Sequence, residues 1–168
     1  NRRVIEERLL TYQVDLAVMS LIERQDRFII EFLMPYELVV AASPFHRLIG
    51  QNALAVHDLR HEMFLLREQE SGTRLDAERH FAQMGLSTQV ILELGSIEAI
   101  KEGVAAELGI AVLPRESVAR EIASGDLALL DVQGFPLKRK WYVVHLRGRR
   151  LSRAAEAFRQ LLLGGLSS

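Results

Sequence analysis

Two short segments of this chain hold the residues best suited to gripping an anion. The first is Leu66-Arg67-Glu68-Gln69-Glu70-Ser71-Gly72-Thr73-Arg74, and the second is Leu94-Gly95-Ser96-Ile97-Glu98. Each reads as the end of a strand, a Gly/Ser turn and the start of a helix. A helix start leaves backbone N–H groups without intrahelical partners and carries the positive end of the helix dipole, so it favours carboxylate or phosphate. Gly72 and Gly95 allow a ligand close to the backbone, and the hydroxyls of Ser71, Thr73 and Ser96 add donors. Arg67 and Arg74 can each hold an oxyanion with two parallel N–H bonds. The same residues admit a purely structural reading. Ser71 and Ser96 can be ordinary N-caps, and the two arginines can pair with Glu68, Glu70 or Asp76.

Other chemistry is less well supported. His57 and His61 are spaced i, i+4, like half a zinc site, but no glutamate follows the first histidine and no third ligand is evident. His46, His80 and His145 are scattered. There is no Gly-x-Ser-x-Gly elbow, no P-loop and no dinucleotide fingerprint, so no nucleotide cofactor is called for. The chain has no cysteine, which excludes disulfides and thiolate metal sites, and a formal net charge of −1, which supplies no basic field for nucleic acid. Arg147, Arg149 and Arg150 around Gly148 form a basic cluster too small for such an interface and fit a solvated turn. No apolar run approaches the ~20 residues of a membrane span, and no signal peptide is visible. The chain opens at Asn1 directly into a helical pattern, as a piece of a longer protein would.

The elements that must position these turns follow from the hydrophobic pattern. Arg2 to Leu10 reads as a helix with a stripe of Val4, Ile5, Leu9 and Leu10. Val14 to Met19 is a short apolar strand. Phe28 to Leu33 and Leu38 to Ala42 read as two strands parted by Pro35, with Pro44 ending the second. Val56 to His61 is a helical turn and Met63 to Leu66 a strand. Gly72 to Met84 is a helix closed by Gly85, Gln89 to Leu94 a strand, and Ile97 to about Leu108 a helix closed by Gly109. Ile110 to Leu113 is a strand, and Pro114 opens a helix reaching Ala123. Leu127 to Val132 and Lys138 to Leu146 are strands, and Ser152 caps a last helix, Arg153 to Leu163. Strands alternating with helices predict an α/β fold with mainly parallel strands.

The order of these segments resembles the effector domain of LysR-type transcription regulators. The resemblance is carried by Asp15-Leu16-Ala17-Val18, by Leu38-Val39-Val40-Ala41-Ala42 with Pro44-Phe45-His46-Arg47-Leu48, by Phe64-Leu65-Leu66-Arg67-Glu68 with Ser71-Gly72-Thr73-Arg74, and by Gly95 to Pro114. Each motif alone is weak, but the ordered set spans the chain. Glu98-Ala99-Ile100-Lys101, Leu130 to Leu137 and Trp141-Tyr142-Val143-Val144-His145 with Leu151-Ser152 further resemble the subgroup controlling carbon-dioxide-fixation (RuBisCO, Calvin-cycle) operons. Two positions depart from the pattern. Glu107 stands where the family has glycine at a helix end, and Ser20-Leu21-Ile22-Glu23-Arg24 replaces a Gly/Pro-containing stretch.

The resemblance implies a two-lobed α/β fold of the type II periplasmic-binding-protein kind, truncated at its N-terminal side. Residues 1–43 and 133–168 would form a partial first lobe, and residues 44–132 the second. It implies a small anionic metabolite, phosphorylated in the carbon-fixation subgroup, bound between the lobes by Ser20, Arg67, Ser71, Gly72, Thr73, Arg74, Gly95, Ser96 and Ile97. Hinge motion would then be relayed to DNA-binding helices that lie elsewhere. It also implies a cytoplasmic homodimer or tetramer that touches DNA only through a helix-turn-helix, has no catalytic residues, metal or cofactor, and has no membrane partner. A periplasmic-type solute-binding protein and, more remotely, a metal-dependent hydrolase are the rival readings.

Overall fold

A computed structural model describes residues 2–20, 22 and 24–165. In chain order the elements are α1 (Arg2–Leu10), β1 (Leu16–Met19), β2 (Phe28–Ala42), β3 (Met63–Arg67), α2 (Gly72–Gln83), β4 (Gln89–Leu94), α3 (Ile97–Ala105), β5 (Ala111–Pro114), α4 (Ala119–Ser124), β6 (Ala128–Leu130), β7 (Leu137–Leu146) and α5 (Arg153–Gly164). Short 3₁₀ turns occupy Gln25–Arg27, Val56–Leu59 and Arg115–Val118. The chain divides into two compact units, residues 1–36 with 139–168, and residues 37–138. Both β2 and β7 contribute residues to each unit.

In the first unit β1 pairs antiparallel with β7, from Leu16 opposite His145 to Met19 opposite Tyr142. One face of these strands meets α1. Leu9 is fully buried there beside Met19, Phe28, Val144 and Leu146, with Ile5 and Leu10 against the same cluster. Val4, expected in that stripe, is exposed. Helix α5 buries none of its residues. It is fixed by polar contacts instead: Ser152 accepts from the Ala155 N–H at 3.2 Å, and Arg159 donates to both oxygens of Glu31 on β2 and to Glu156. These bonds hold the Glu156 carboxyl below the usual carboxylate range and raise Arg159 above its ordinary value.

In the second unit β3 and β4 are parallel neighbours, with Arg67 opposite Leu94 at their carboxyl ends. A parallel bridge joins Phe64 to Ile110 at the entry to β5. The core lies where α3 covers these strands: Leu65, Ile100, Val104, Ala111, Leu113, Val118 and Leu127 are all almost fully buried. Two glycines make that packing possible. A Cβ on Gly103 would lie 2.4 Å from Leu65 Cδ2, and one on Gly109 would lie 2.4 Å from the Met63 carbonyl oxygen, which already accepts from the Ile110 N–H.

The structure corrects several expectations. The described strands are not mainly parallel, because β1–β7, β2–β5 and β2–β6 are all antiparallel. β2 is one 15-residue strand rather than two. Pro35 lies outside the ladders to β5 and β6, which engage only Leu38–Ala42, so its missing N–H costs those two ladders nothing, while β7 also borders β2. The helix expected after Pro114 is a 3₁₀ turn followed by α4.

Helix α3 ends at Ala105 rather than near Leu108. Glu107 adopts a left-handed φ of 62°, so the turn that the family makes with glycine is kept without one. The Leu108 N–H reaches back to the Gly103 carbonyl and the Glu107 N–H to that of Val104, a Schellman closure. A left-handed non-glycine residue costs about 1–2 kcal/mol, part of which glycine returns through its greater unfolded-state entropy.

Urea denaturation is therefore expected to show Glu107→Gly more stable than the parent by about 0.5–1 kcal/mol. The same measurement is expected to show Gly109→Ala less stable by about 1–3 kcal/mol, since the added methyl meets backbone that cannot yield.

Candidate anion-binding site

The parallel register of β3 and β4 sets the geometry of the site. Their ends are opposite one another, and neighbouring strands lie about 4.8 Å apart. The turn entering α2 and the turn entering α3 therefore leave the sheet side by side. Eight of the nine expected site residues lie on these turns, in the second unit. Ser20 directly follows β1 in the first unit, and Leu21 and Glu23 of the departing stretch lie outside the described residues.

At the α2 start, Ser71 is the N-cap residue in extended conformation. Its carbonyl takes the first helical bond, from the Leu75 N–H, but its hydroxyl makes no capping bond. The ordinary reason for a serine at this position is thus not in use. Gly72 and Thr73 are partly accessible, and among the described residues the Thr73 hydroxyl makes no hydrogen bond. At the α3 start, Ser96 does act as a cap, accepting from the Ala99 N–H at 3.5 Å. Gly95 is exposed, with nothing within 4 Å of where a Cβ would point, so the space over this turn is open. Ile97 is turned partly into the core against the α3 cluster.

The two arginines differ from their expected roles in an informative way. Arg74 is buried and committed to protein. It donates to Glu78 at 2.8 Å, to Glu93 at 2.6 Å and to the Arg67 carbonyl at 3.0 Å, tying α2 to β4 and to the end of β3. Burial works against its charge, and the bonds to Glu78 and Glu93 more than compensate, so it stays protonated. Arg67 is paired side-on with Glu68, Nε to Oε2 at 2.8 Å and Nη2 to Oε1 at 3.0 Å. Burial alone would push the Glu68 carboxyl up, yet the Arg67 bonds hold it below the usual carboxylate range. The sequence pointed to Glu68 as a partner for an arginine. Glu78, four residues after Arg74 on the same helix, was a signal in the spacing that went unread, whereas Glu93 could not be read because only folding brings β4 beside α2.

The remaining candidates are accounted for locally. His57 and His61 sit at an exposed 3₁₀ turn, where His61 Nε2 accepts from Arg60. Among the described residues no three His, Cys, Asp or Glu side chains cluster as metal ligands. His46 Nε2 lies 3.1 Å from buried Glu62, which also pairs with Arg47. In the basic cluster, Arg147 donates to the Phe28 and Asp26 carbonyls, and Arg149 pairs with Asp15 and lies over the Tyr12 ring.

Comparison with known proteins agrees with this picture. A family model described as the LysR substrate binding domain matches residues 1–167. The chain is 43% identical over 162 residues to a RuBisCO operon transcriptional regulator of Acidithiobacillus ferrooxidans, covering 96% of the chain and 52% of that protein. It is 38% identical to the HTH-type transcriptional regulator CfxR of Cupriavidus necator, covering 97% of the chain and 51% of that protein. The chain thus spans about half the length of the curated relatives it matches. The resemblance to carbon-fixation regulators read from the sequence is borne out by these relatives.

Among solved structures, the regulatory domain of Synechocystis PCC6803 CcmR in complex with 2-PG superposes with a TM-score of 0.92 at 34% identity, covering all of this chain and 81% of that one. The effector binding domain of QuiR, at 22% identity and a TM-score of 0.85, shares the fold.

Two outcomes follow from the site's electrostatics. Arg74→Met is expected to lower stability by about 2 kcal/mol in urea melts, since it strips a buried cation from two partly exposed acids. In an acid titration followed by NMR, the Glu68 carboxyl is expected to titrate below ordinary glutamates and to move back up in Arg67→Gln. The Arg67–Glu68 pair's stabilisation is accordingly complete above the ordinary carboxylate range and lost as pH falls through the lowered value.

Proposed function

The chain belongs to the LysR substrate-binding domain family, and from that premise we propose that it senses a small phosphorylated or carboxylated metabolite at the paired starts of α2 and α3. One observation carries this reading. The parallel register of β3 and β4 sets two helix N-termini side by side, with the Ser71 hydroxyl free of capping duty and Gly95 open to solvent. Backbone N–H groups at both turns, with the hydroxyls of Ser71, Thr73 and Ser96, would receive the anion. Ser20 and Ile97 would contact the rest of the ligand. Arg67 would supply the cation, while Arg74 braces the turn from within. The related CcmR domain holds 2-PG, which supports a phosphorylated ligand for this chain as well.

The two compact units are proposed as the two lobes of the sensing domain, and the polypeptide of β2 and β7 as the route by which a change in one reaches the other. DNA would be engaged through a helix-turn-helix elsewhere in a cytoplasmic regulator. Self-association into a dimer or tetramer would draw on exposed apolar side chains such as Met84 after α2 and Val90 on β4. Among the described residues no helix is long and apolar enough to cross a membrane. The relatives are transcription regulators, which favours this reading, without catalysis, over a solute-binding protein or a hydrolase.

Isothermal titration with 2-PG, phosphoenolpyruvate, sugar phosphates and NADPH is the direct test. Thr73→Ala and Ser96→Ala are each expected to weaken the compound that binds by about tenfold, the worth of one hydrogen bond to a charged group, with the melting temperature held. Unchanged affinity in both variants overturns the placement, and no binding by any of these compounds overturns the ligand class.

A further inference from the structure

We propose that Glu68 is a built-in competitor for the anion site: its carboxylate fills the Nε/Nη2 edge of Arg67, and a ligand gains a bidentate grip on that edge only by displacing it. The inference rests on the site proposed above and adds to it what sets the affinity. Leu65 on β3 packs into the α3 core, and side chains two apart along a strand share a face. Arg67 therefore lies on the α3 side, one step nearer the Gly95–Ser96 turn, opposite Leu94. There it would be a ready cation for an anion at the α3 start, but its Nε and Nη2 both donate to Glu68.

Arg74 does not take over from Arg67 here: its Nε and Nη1 are already engaged by Glu78, Glu93 and the Arg67 carbonyl.

The consequence is a threshold on affinity. Any anion that takes the Nε/Nη2 edge of Arg67 must first meet the cost of freeing it from Glu68, whatever its own charge. An oxyanion gains in return from Arg67 and from both helix starts together. Glu68 is a positioning residue, acting on the ligand through Arg67.

Sulfate and acetate serve as the probes, being a dianion and a monoanion that do not change charge near neutral pH. Each is titrated at constant ionic strength into the whole chain, wild type, Glu68→Gln, Arg67→Gln and the double variant, following the Thr73 and Ser96 amides by NMR. Glu68→Gln is expected to bind sulfate about tenfold more tightly than wild type, and acetate more tightly by no more than that factor, since both compete with the same carboxylate. Arg67→Gln and the double variant are expected to bind sulfate equally weakly, because without Arg67 nothing is left to compete for.

Equal sulfate affinity in wild type and Glu68→Gln overturns the proposal. So does a gain that survives in the double variant, which would mean that Glu68 acts without Arg67. Sulfate that leaves both amides unmoved in wild type and in Glu68→Gln overturns the underlying site as well, so the two failures are told apart.

Discussion

The parallel pairing of β3 with β4 is the constraint on which the candidate anion site depends. Parallel strands need a crossover, and here α2 supplies it, so the two strands end at the same edge and each hands over to a helix there. The helix starts at Gly72 and Ile97, 25 residues apart in sequence, become neighbours. An antiparallel pairing of the same strands would send the turns after Arg67 and Leu94 to opposite ends of the sheet, and neither would reinforce the other's field.

Close packing holds that register. Gly103 brings α3 against Leu65 on β3, and Gly109 brings the chain under the Met63 carbonyl before β5 begins. Arg74 then fastens α2 to β4 and to the Arg67 carbonyl from the interior side. The two arginines of the motif divide the work: one is buried and bonded within the protein, while the other is partly accessible and held by the glutamate beside it.

The first unit is stabilised by different means. Its α1 face is an apolar cluster around Leu9 and Phe28, while α5 is anchored by the Ser152 cap and the Arg159–Glu31–Glu156 group. The basic cluster at Arg147 and Arg149 belongs to this scheme. These side chains hold the turn after β7 to Asp15 and to the carbonyls of Asp26 and Phe28, which gives Arg147 and Arg149 structural roles.

Much of the fold was legible from local pattern. The helix starts at Gly72 and Ile97, the cap at Ser96, and the strands Gln89–Leu94 and Lys138–Leu146 are set by interactions within a few residues, which composition and periodicity record directly. The ordered motifs from Asp15 to Ser152 likewise identified the family. What the sequence could not determine was anything settled by partners distant along the chain. The continuity of β2 through Pro35 depends on the strands it pairs with, β5, β6 and β7. The direction of each strand pairing depends on topology. The left-handed turn at Glu107 is retained because the Gly103 and Val104 carbonyls must be satisfied there, whatever residue supplies the turn. The roles of Arg67 and Arg74 were open for the same reason. A guanidinium pairs with whichever carboxylate the fold brings within 3 Å, and only the tertiary structure placed Glu93 beside one and left Glu68 to the other.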